Sequence, residues 1–274
     1  MISIDFRSKT AIVTGGGRGI GLGITEALAG AGANVIITYT STDPTELAQT
    51  LGAKYGVKIH VYRCRAEDST QVNEMVERIS KEIGEVDFVI ANAGVSLWRD
   101  TIDMTDEELE HIMKINLFAP VYLARAFTRH WLGLPATVQS DHQVGKLDTI
   151  NLKKKILFVS SISGIVNMTP QRQMAYNASK GGLTMAARSL AGEWARYGIT
   201  VNTISPGYVS TDMIANPPSG EASAWVQTWK SMTPVDRFAK ASEEGQMVAL
   251  MMSDHASTFM TGHDLVMDGG YTTY

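Results

Sequence analysis

Seven short apolar runs punctuate the chain: Thr10–Thr14, Val35–Ile37, Ile59–Tyr62, Val86–Ile90, Ile156–Val159, Ile199–Ile204 and Asp264–Met267. Most lack the polar alternation of a half-solvated strand, which predicts parallel strands covered on both faces. Amphipathic stretches lie between them, among them 19–32, 69–83, 106–130 and 175–197. Strands alternating with helices predict an α/β architecture, a doubly wound, seven-stranded parallel sheet with right-handed crossovers and helices on both faces. The alternation runs end to end, so residues 1–274 are expected to form a single domain. Two segments break the rhythm. Residues 133–155 are polar and aperiodic and are expected to be an inserted surface loop; residues 210–240 are irregular and rich in Pro, Ser and Trp.

Hydrophobic residues make up 44% and charged residues 19%, enough to build a core and too ordered a composition for a coiled coil or a disordered chain. The net charge of −4 argues against a general nucleic-acid binder. Cys64 is the only cysteine, so no intrachain disulfide forms; a buried packing thiol in a reducing compartment is expected. The amino-terminal residues Met1–Arg7 do not read as a secretory signal, and no apolar run approaches the ~18 residues of a membrane span. A soluble cytoplasmic protein is expected, with no membrane, nucleic-acid or metal partner.

The first apolar run leads directly into Thr14-Gly15-Gly16-Gly17-Arg18-Gly19-Ile20-Gly21 and then into a helix. Glycines permit a tight turn and close backbone approach, and the helix start offers free N–H groups to a pyrophosphate. A dinucleotide site is the expectation. The Thr-Gly-x-x-x-Gly-x-Gly spacing resembles that of the short-chain dehydrogenase/reductase family. Further family signatures follow in order: Asn92-Ala93-Gly94, Asn116, Ser160-Ser161-Ile162-Ser163-Gly164, Tyr176-Asn177-Ala178-Ser179-Lys180 and Pro206-Gly207. The resemblance implies a Rossmann fold and hydride transfer between a nicotinamide cofactor and a ketone or secondary alcohol. Tyr176 and Lys180 stand four apart, hence on one helix face. A tyrosine with an ordinary pKa of ~10 is a poor acid–base group at neutral pH unless a nearby cation stabilises its anion.

The same resemblance implies the roles. Tyr176 would exchange a proton with the substrate oxygen, and Lys180 would lower the Tyr176 pKa and bind the ribose. Ser161 would hold the carbonyl oxygen, and Asn116 would position a water. Ser163 rivals Ser161; Ser161 is preferred because it stands three residues before Gly164, an insertion before Tyr176 accounting for the longer gap. Gly15, Gly17, Arg18, Gly19, Ile20 and Gly21 would cradle the pyrophosphate. Asn92, Ala93 and Gly94 would face the adenosine side, and Pro206, Gly207, Val209 and Thr211 the nicotinamide side. Arg65 occupies the position where many relatives carry an adenine-binding aspartate, which leaves that contact to the Arg65 plane or to the Ala66 backbone. NADP(H) is expected: the end of the second strand is Tyr39, followed by Thr40 and Ser41, with no carboxylate to repel a 2′-phosphate before Asp43, which is expected to cap a helix; Arg18 supplies positive charge.

For the substrate, the candidates are Ser96, Trp98, Ser163, Tyr208 and Trp225, with 210–240 as a lid and Trp225 and Trp229 on one helix face. Pro170-Gln171, Gln173 and the tail Asp268-Gly269-Gly270-Tyr271-Thr272 resemble the fungal NADP-dependent polyol dehydrogenases and ketose reductases. They imply a ketose or polyol substrate. A secondary-metabolite ketone reductase, a 3-oxoacyl-carrier-protein reductase and a non-catalytic NADP-binding module are the alternatives. The family also implies a homotetramer built on the Tyr176 helix and its predecessor.

Overall fold

The computed structural model describes residues 3–138, 149–211 and 222–273. Seven parallel strands form one sheet in the order β3-β2-β1-β4-β5-β6-β7. They are β1 Thr10–Thr14, β2 Asn34–Tyr39, β3 Ile59–Arg63, β4 Phe88–Ala91, β5 Lys154–Val159, β6 Ile199–Pro206 and β7 Asp264–Met267. The order reverses beside β1, so the crevice at the carboxyl ends of β1 and β4 is the switch point where open α/β sheets bind ligands.

The helices are α1 Gly19–Gly30, α2 Thr45–Tyr55, α3 Ser69–Glu82, α4 Asp106–Met113, α5 Ala119–Trp131, α6 Met174–Trp194, α7 Ala222–Ser231, α8 Ala241–Met252 and the short α9 Asp254–Ser257. Two apolar clusters lie on opposite faces of the sheet. Ile79, Leu123, Phe127 and Leu183 form one with Ile156 and Phe158, and Ile24, Leu28, Val248 and Met252 form the other with Val13 and Ile37. In the second layer α1 and α8 touch backbone to backbone; a Cβ on Gly245 would stand 2.0 Å from the Gly23 carbonyl oxygen. That contact fixes where α1, and so the glycine turn at its start, sits over the sheet.

Three boundaries differ from the sequence expectations. The expected helix 106–130 is divided by a wide π turn at Lys114–Phe118, followed by Pro120, which has no N–H to offer the carbonyl of Asn116. Asp43 does accept the N–H of Thr45 (2.9 Å), as a cap would, although Pro44 is the residue immediately before α2. The 133–155 loop ends early: Lys154 and Lys155 are the first residues of β5, and both are buried. Lys154 Nζ meets Glu85 at 2.8 Å and Asp87 at 3.1 Å. Lys155 Nζ donates to Ser257 Oγ at 2.7 Å and pairs with Asp254 at 3.0 Å. A lysine can start a central strand when acids from elsewhere in the chain meet its ammonium. Residues 139–148 of the expected loop, and 212–221 of the expected lid, lie outside the described residues.

Candidate active site

The turn after β1 is stapled to the end of β4. Thr14 Oγ1 accepts the N–H groups of Asn92 and Ala93, both at 2.9 Å, and Asn92 Nδ2 donates to the Thr14 carbonyl at 2.9 Å. Gly15 and Gly19 take the left-handed conformation, φ 64° and 53°. A Cβ on Gly21 would lie 2.3 Å from the Gly15 carbonyl, so the first turn of α1 can approach the loop only as glycine. Arg18 is the residue before α1, and no side chain caps the helix start. The first-turn N–H groups, of Gly19, Ile20 and Gly21, are therefore available to an anion, and the cradle fits a pyrophosphate. Gly17 packs on Pro44, and Thr211 packs on Gly19, bringing the segment after β6 to the same turn. Gly207, just past Pro206, packs on the backbone of Asp268, and Val209 is buried and bridged to Ala239.

At the adenosine end the charges are arranged differently from the sequence expectation. The Tyr39 hydroxyl donates to Asp43 Oδ2 at 3.0 Å, so a carboxylate does reach the end of β2, five residues being enough for the chain to turn back. Arg63, across from Tyr39 in the β2–β3 register, donates from Nε to the Thr40 carbonyl at 3.1 Å. Sequence reasoning passed over Arg63; its register opposite Tyr39 was the available signal. Thr40 Oγ1 donates to the Cys64 carbonyl at 3.4 Å, and Ser41 is exposed. Arg65 is exposed and ion-paired to Glu67 at 3.0 Å, whereas Ala66 and Ala93 line a small cavity with Thr14, Thr38 and Cys64. Of the two alternatives left open by the sequence, Arg65 is turned to solvent and its ion pair, and Ala66 is half-buried past the end of β3. Burial raises the Cys64 thiol pKa to about 11 and keeps it protonated.

Tyr176 and Lys180 stand one turn apart on α6, with Lys180 Nζ 5.7 Å from the Tyr176 ring centre. The ammonium donates to the Val159 carbonyl at 2.8 Å, and burial lowers its pKa to about 8. Burial raises the Tyr176 phenol above its ordinary value, and a hydrogen bond with Ser161 opposes the rise. Desolvation is the larger influence, so the direction is opposite to the lowering expected from Lys180. Ser161 lies two residues past β5 and also accepts the N–H of Ser163 (3.1 Å). The Ser163 hydroxyl is buried and turned to Gln173 Nε2, 3.0 Å away. The structure therefore brings Ser161, not Ser163, to the phenol.

Asn116 is buried in the π turn. Its Nδ2 donates to the Val95 carbonyl at 2.8 Å and to Ser179 Oγ at 3.2 Å, and its Oδ1 accepts the Val95 N–H at 2.9 Å. Gly94 runs between them; a Cβ there would stand 3.3 Å from Asn116 Oδ1 and 3.6 Å from Lys180 Nζ.

On the substrate side, Trp98 and Trp225 line a cleft of about 410 Å³ with Arg99, Asp100, Pro170 and Arg172. Ser96 is half-buried and does not line it. Tyr208 does not line it either: it is buried, stacked on Trp229 at 4.8 Å, and its hydroxyl accepts from Gln171 Nε2 at 2.9 Å. Trp225 and Trp229 share a helix but not a fate, since Trp229 is fully buried. The rim residues Arg99, Asp100 and Arg172 carried no sequence motif and were not anticipated.

A family profile described as enoyl-(acyl carrier protein) reductase matches residues 15–272, nearly the whole chain and the site from Gly15 onward. The chain belongs to the short-chain dehydrogenase/reductase family. Among its relatives in that family, a sorbose reductase of Candida albicans is 36% identical over 98% of this chain and 88% of its own length. An NADP-dependent mannitol dehydrogenase of Hypocrea jecorina is 33% identical over 98% and 94%. An NADPH-dependent 3-quinuclidinone reductase of Rhodotorula rubra, solved by crystallography, superposes with a TM-score of 0.84 at 29% identity, covering 99% of this chain and 94% of that one. Membership makes the protein an oxidoreductase with a nicotinamide cofactor and a small-molecule substrate. Among the described residues no helix is long and apolar enough to cross a membrane.

Proposed function

We propose that the protein is an NADP(H)-dependent carbonyl reductase and alcohol dehydrogenase whose substrate is a ketose or its polyol. The observation that carries the reading is the grouping of Tyr176, Ser161 and the buried Lys180 just past the carboxyl end of β5, beside the glycine cradle. The cofactor supplies or accepts the hydride. Ser161 holds the carbonyl oxygen, and Tyr176, kept protonated by burial, donates its proton to that oxygen. Lys180 stabilises the phenolate so formed and holds the nicotinamide ribose. Oxidation of the alcohol returns the proton to Tyr176. Asn116 fixes the Val95 segment through its side chain; its main-chain carbonyl, denied a partner at Pro120, holds the water that links Lys180 to solvent.

The cradle from Gly15 to Gly21 takes the pyrophosphate, Ala66 and Asn92 to Gly94 the adenosine side, and Pro206 to Thr211 the nicotinamide side. Arg63 supplies a cation beside Tyr39 and Thr40, and Arg18 a second from the glycine turn; the two outnumber Asp43 and support a 2′-phosphate over a bare ribose. Names of relatives support both the cofactor and the ketose–polyol class. The protein acts in the cytoplasm as a homotetramer of single-domain chains; large apolar side chains exposed beside α5 and on α6, Phe118 and Met185, support that contact.

The deciding experiment follows NADPH consumption with L-sorbose and D-fructose, and NADP⁺ reduction with mannitol and sorbitol, each repeated with NAD(H). Turnover preferring NADP(H) is expected. A preference for NADH, or activity confined to cyclic ketones, refutes the respective half of the proposal.

A further inference from the structure

Four aromatic residues pack in two layers outside the Tyr176 group. The inner layer is Tyr208 stacked on Trp229, both buried, at 4.8 Å between ring centres and 19° between planes. The outer layer is Trp98 and Trp225, each half-buried, edge to face with one another at 5.5 Å; Trp98 also meets Trp229 at 5.7 Å. Packing alone accounts for the inner pair. It does not account for two indoles that keep part of their surface in an open cleft of about 410 Å³.

The wall is held in place by a buried amide. Gln171 Nε2 donates to the Tyr208 hydroxyl at 2.9 Å, and Gln171 Oε1 accepts from Trp229 Nε1 at 2.8 Å. Both ends of the side chain are used, so α7, the segment after β6 and the loop before α6 are locked together. The aromatic surface is therefore formed in advance of any ligand. The rim is polar and balanced in charge. Arg172 pairs with Asp100, Arg99 pairs with Glu108 at 3.2 Å, and the Arg99 N–H donates to the Arg172 carbonyl at 2.8 Å. Two cations matched by two carboxylates leave no net charge to select a phosphate or carboxylate ligand, but they offer donors and acceptors to hydroxyl groups. Ile162, the neighbour of Ser161, shares an apolar cluster with Tyr208 and Trp229 on which Trp98 and Trp225 pack, so the cleft adjoins the reacting centre.

We infer that this cleft is a preformed subsite for a neutral ring carried by the substrate beyond its reacting carbonyl, stacked against Trp98 and Trp225 with its hydroxyl groups on the Arg99–Asp100–Arg172 rim. Apolar faces of both glycosyl and aryl rings suit an indole wall, and an open cleft of about 410 Å³ has room for a ring beyond the reacting carbon. The inference rests on the proposed reductase chemistry at Tyr176 and extends its substrate class from simple ketoses to ketones that carry a ring beyond the carbonyl.

Kinetics with three ketones test it: dihydroxyacetone as the small reference, a disaccharide ketose for the glycosyl source and an aryl hydroxyketone for the aryl source. At least one ring-bearing ketone is expected to show a KM tenfold or more below that of dihydroxyacetone. In Trp98→Ala and in Trp225→Ala, the ratio of kcat/KM for the ring ketone to that for dihydroxyacetone is expected to fall tenfold or more through KM. Trp98→Phe should recover most of that ratio. Equal loss on ring and small ketones, or no advantage of a ring in the wild type, overturns the subsite. A separate measurement keeps this distinct from failure of the reductase reading: quenching of tryptophan fluorescence by an unreactive aryl glycoside. Saturable quenching that Trp225→Ala abolishes supports the subsite even without turnover, and its absence counts against it.

Discussion

Glu244 offers a test that joins burial to charge. It sits on α8, against α1 and thus behind the glycine turn; it is fully buried, and among the described residues neither carboxyl oxygen has a hydrogen-bond partner. Burial raises its pKa from 4.5 to about 8, and the neighbouring Glu243, itself fixed by Arg237, adds to the rise. The folded protein therefore keeps a proton that the unfolded chain releases near 4.5. Because the unfolded state binds fewer protons across that window, stability falls as pH rises from about 4.5 to about 8 and changes no further above it. At about 1.4 kcal/mol per pH unit, the whole span has an upper limit of roughly 5 kcal/mol, and water entry or side-chain rearrangement reduces it to about half.

Glu244→Gln keeps the shape and removes the titration. The variant should match the wild type near pH 4.5 and become more stable than it by roughly 2–5 kcal/mol at pH 8 and above. Urea unfolding at fixed protein concentration, repeated at half-unit steps between pH 4.5 and 9, reads the difference directly. A stability difference that stays constant over that range would show that the carboxylate is ionised throughout, and the reasoning fails.

Tyr176→Phe should abolish turnover while NADPH still raises the melting temperature, since only the proton source is removed; residual activity near wild type sinks the assigned mechanism. The kcat/KM for ketone reduction should decline as pH rises through about 8, where Lys180 loses the charge that stabilises the phenolate, and a flat profile to pH 10 contradicts that role. Gly21→Ala forces a Cβ to 2.3 Å from the Gly15 carbonyl and should cost tenfold or more in cofactor affinity by titration calorimetry. Arg18→Ala should weaken NADPH binding by about 1.5–3 kcal/mol and NADH binding far less; equal losses refute a phosphate contact.

What the sequence determined by itself is local in origin. Apolar runs of strand length, helical spacing and a glycine turn at a strand end are readable because a few neighbouring residues dictate each of them. They gave the seven strands, the cradle from Gly15 to Gly21, and the pairing of Tyr176 with Lys180 on one helix face. The tertiary structure decided whatever depends on residues far apart in the chain. Lys154 and Lys155 look like loop and are strand because Asp87 and Asp254 meet their ammonium groups. Asp43 looks remote from the end of β2 until the chain folds it back onto the Tyr39 hydroxyl. Tyr208 and Trp229 read as pocket residues, yet Gln171 draws them into the packed layer and leaves Trp98 and Trp225 facing the cleft. Desolvation, too, is a property of the assembled surroundings: the spacing of Tyr176 and Lys180 predicts their attraction, but the packing around them sets the phenol high and the ammonium low.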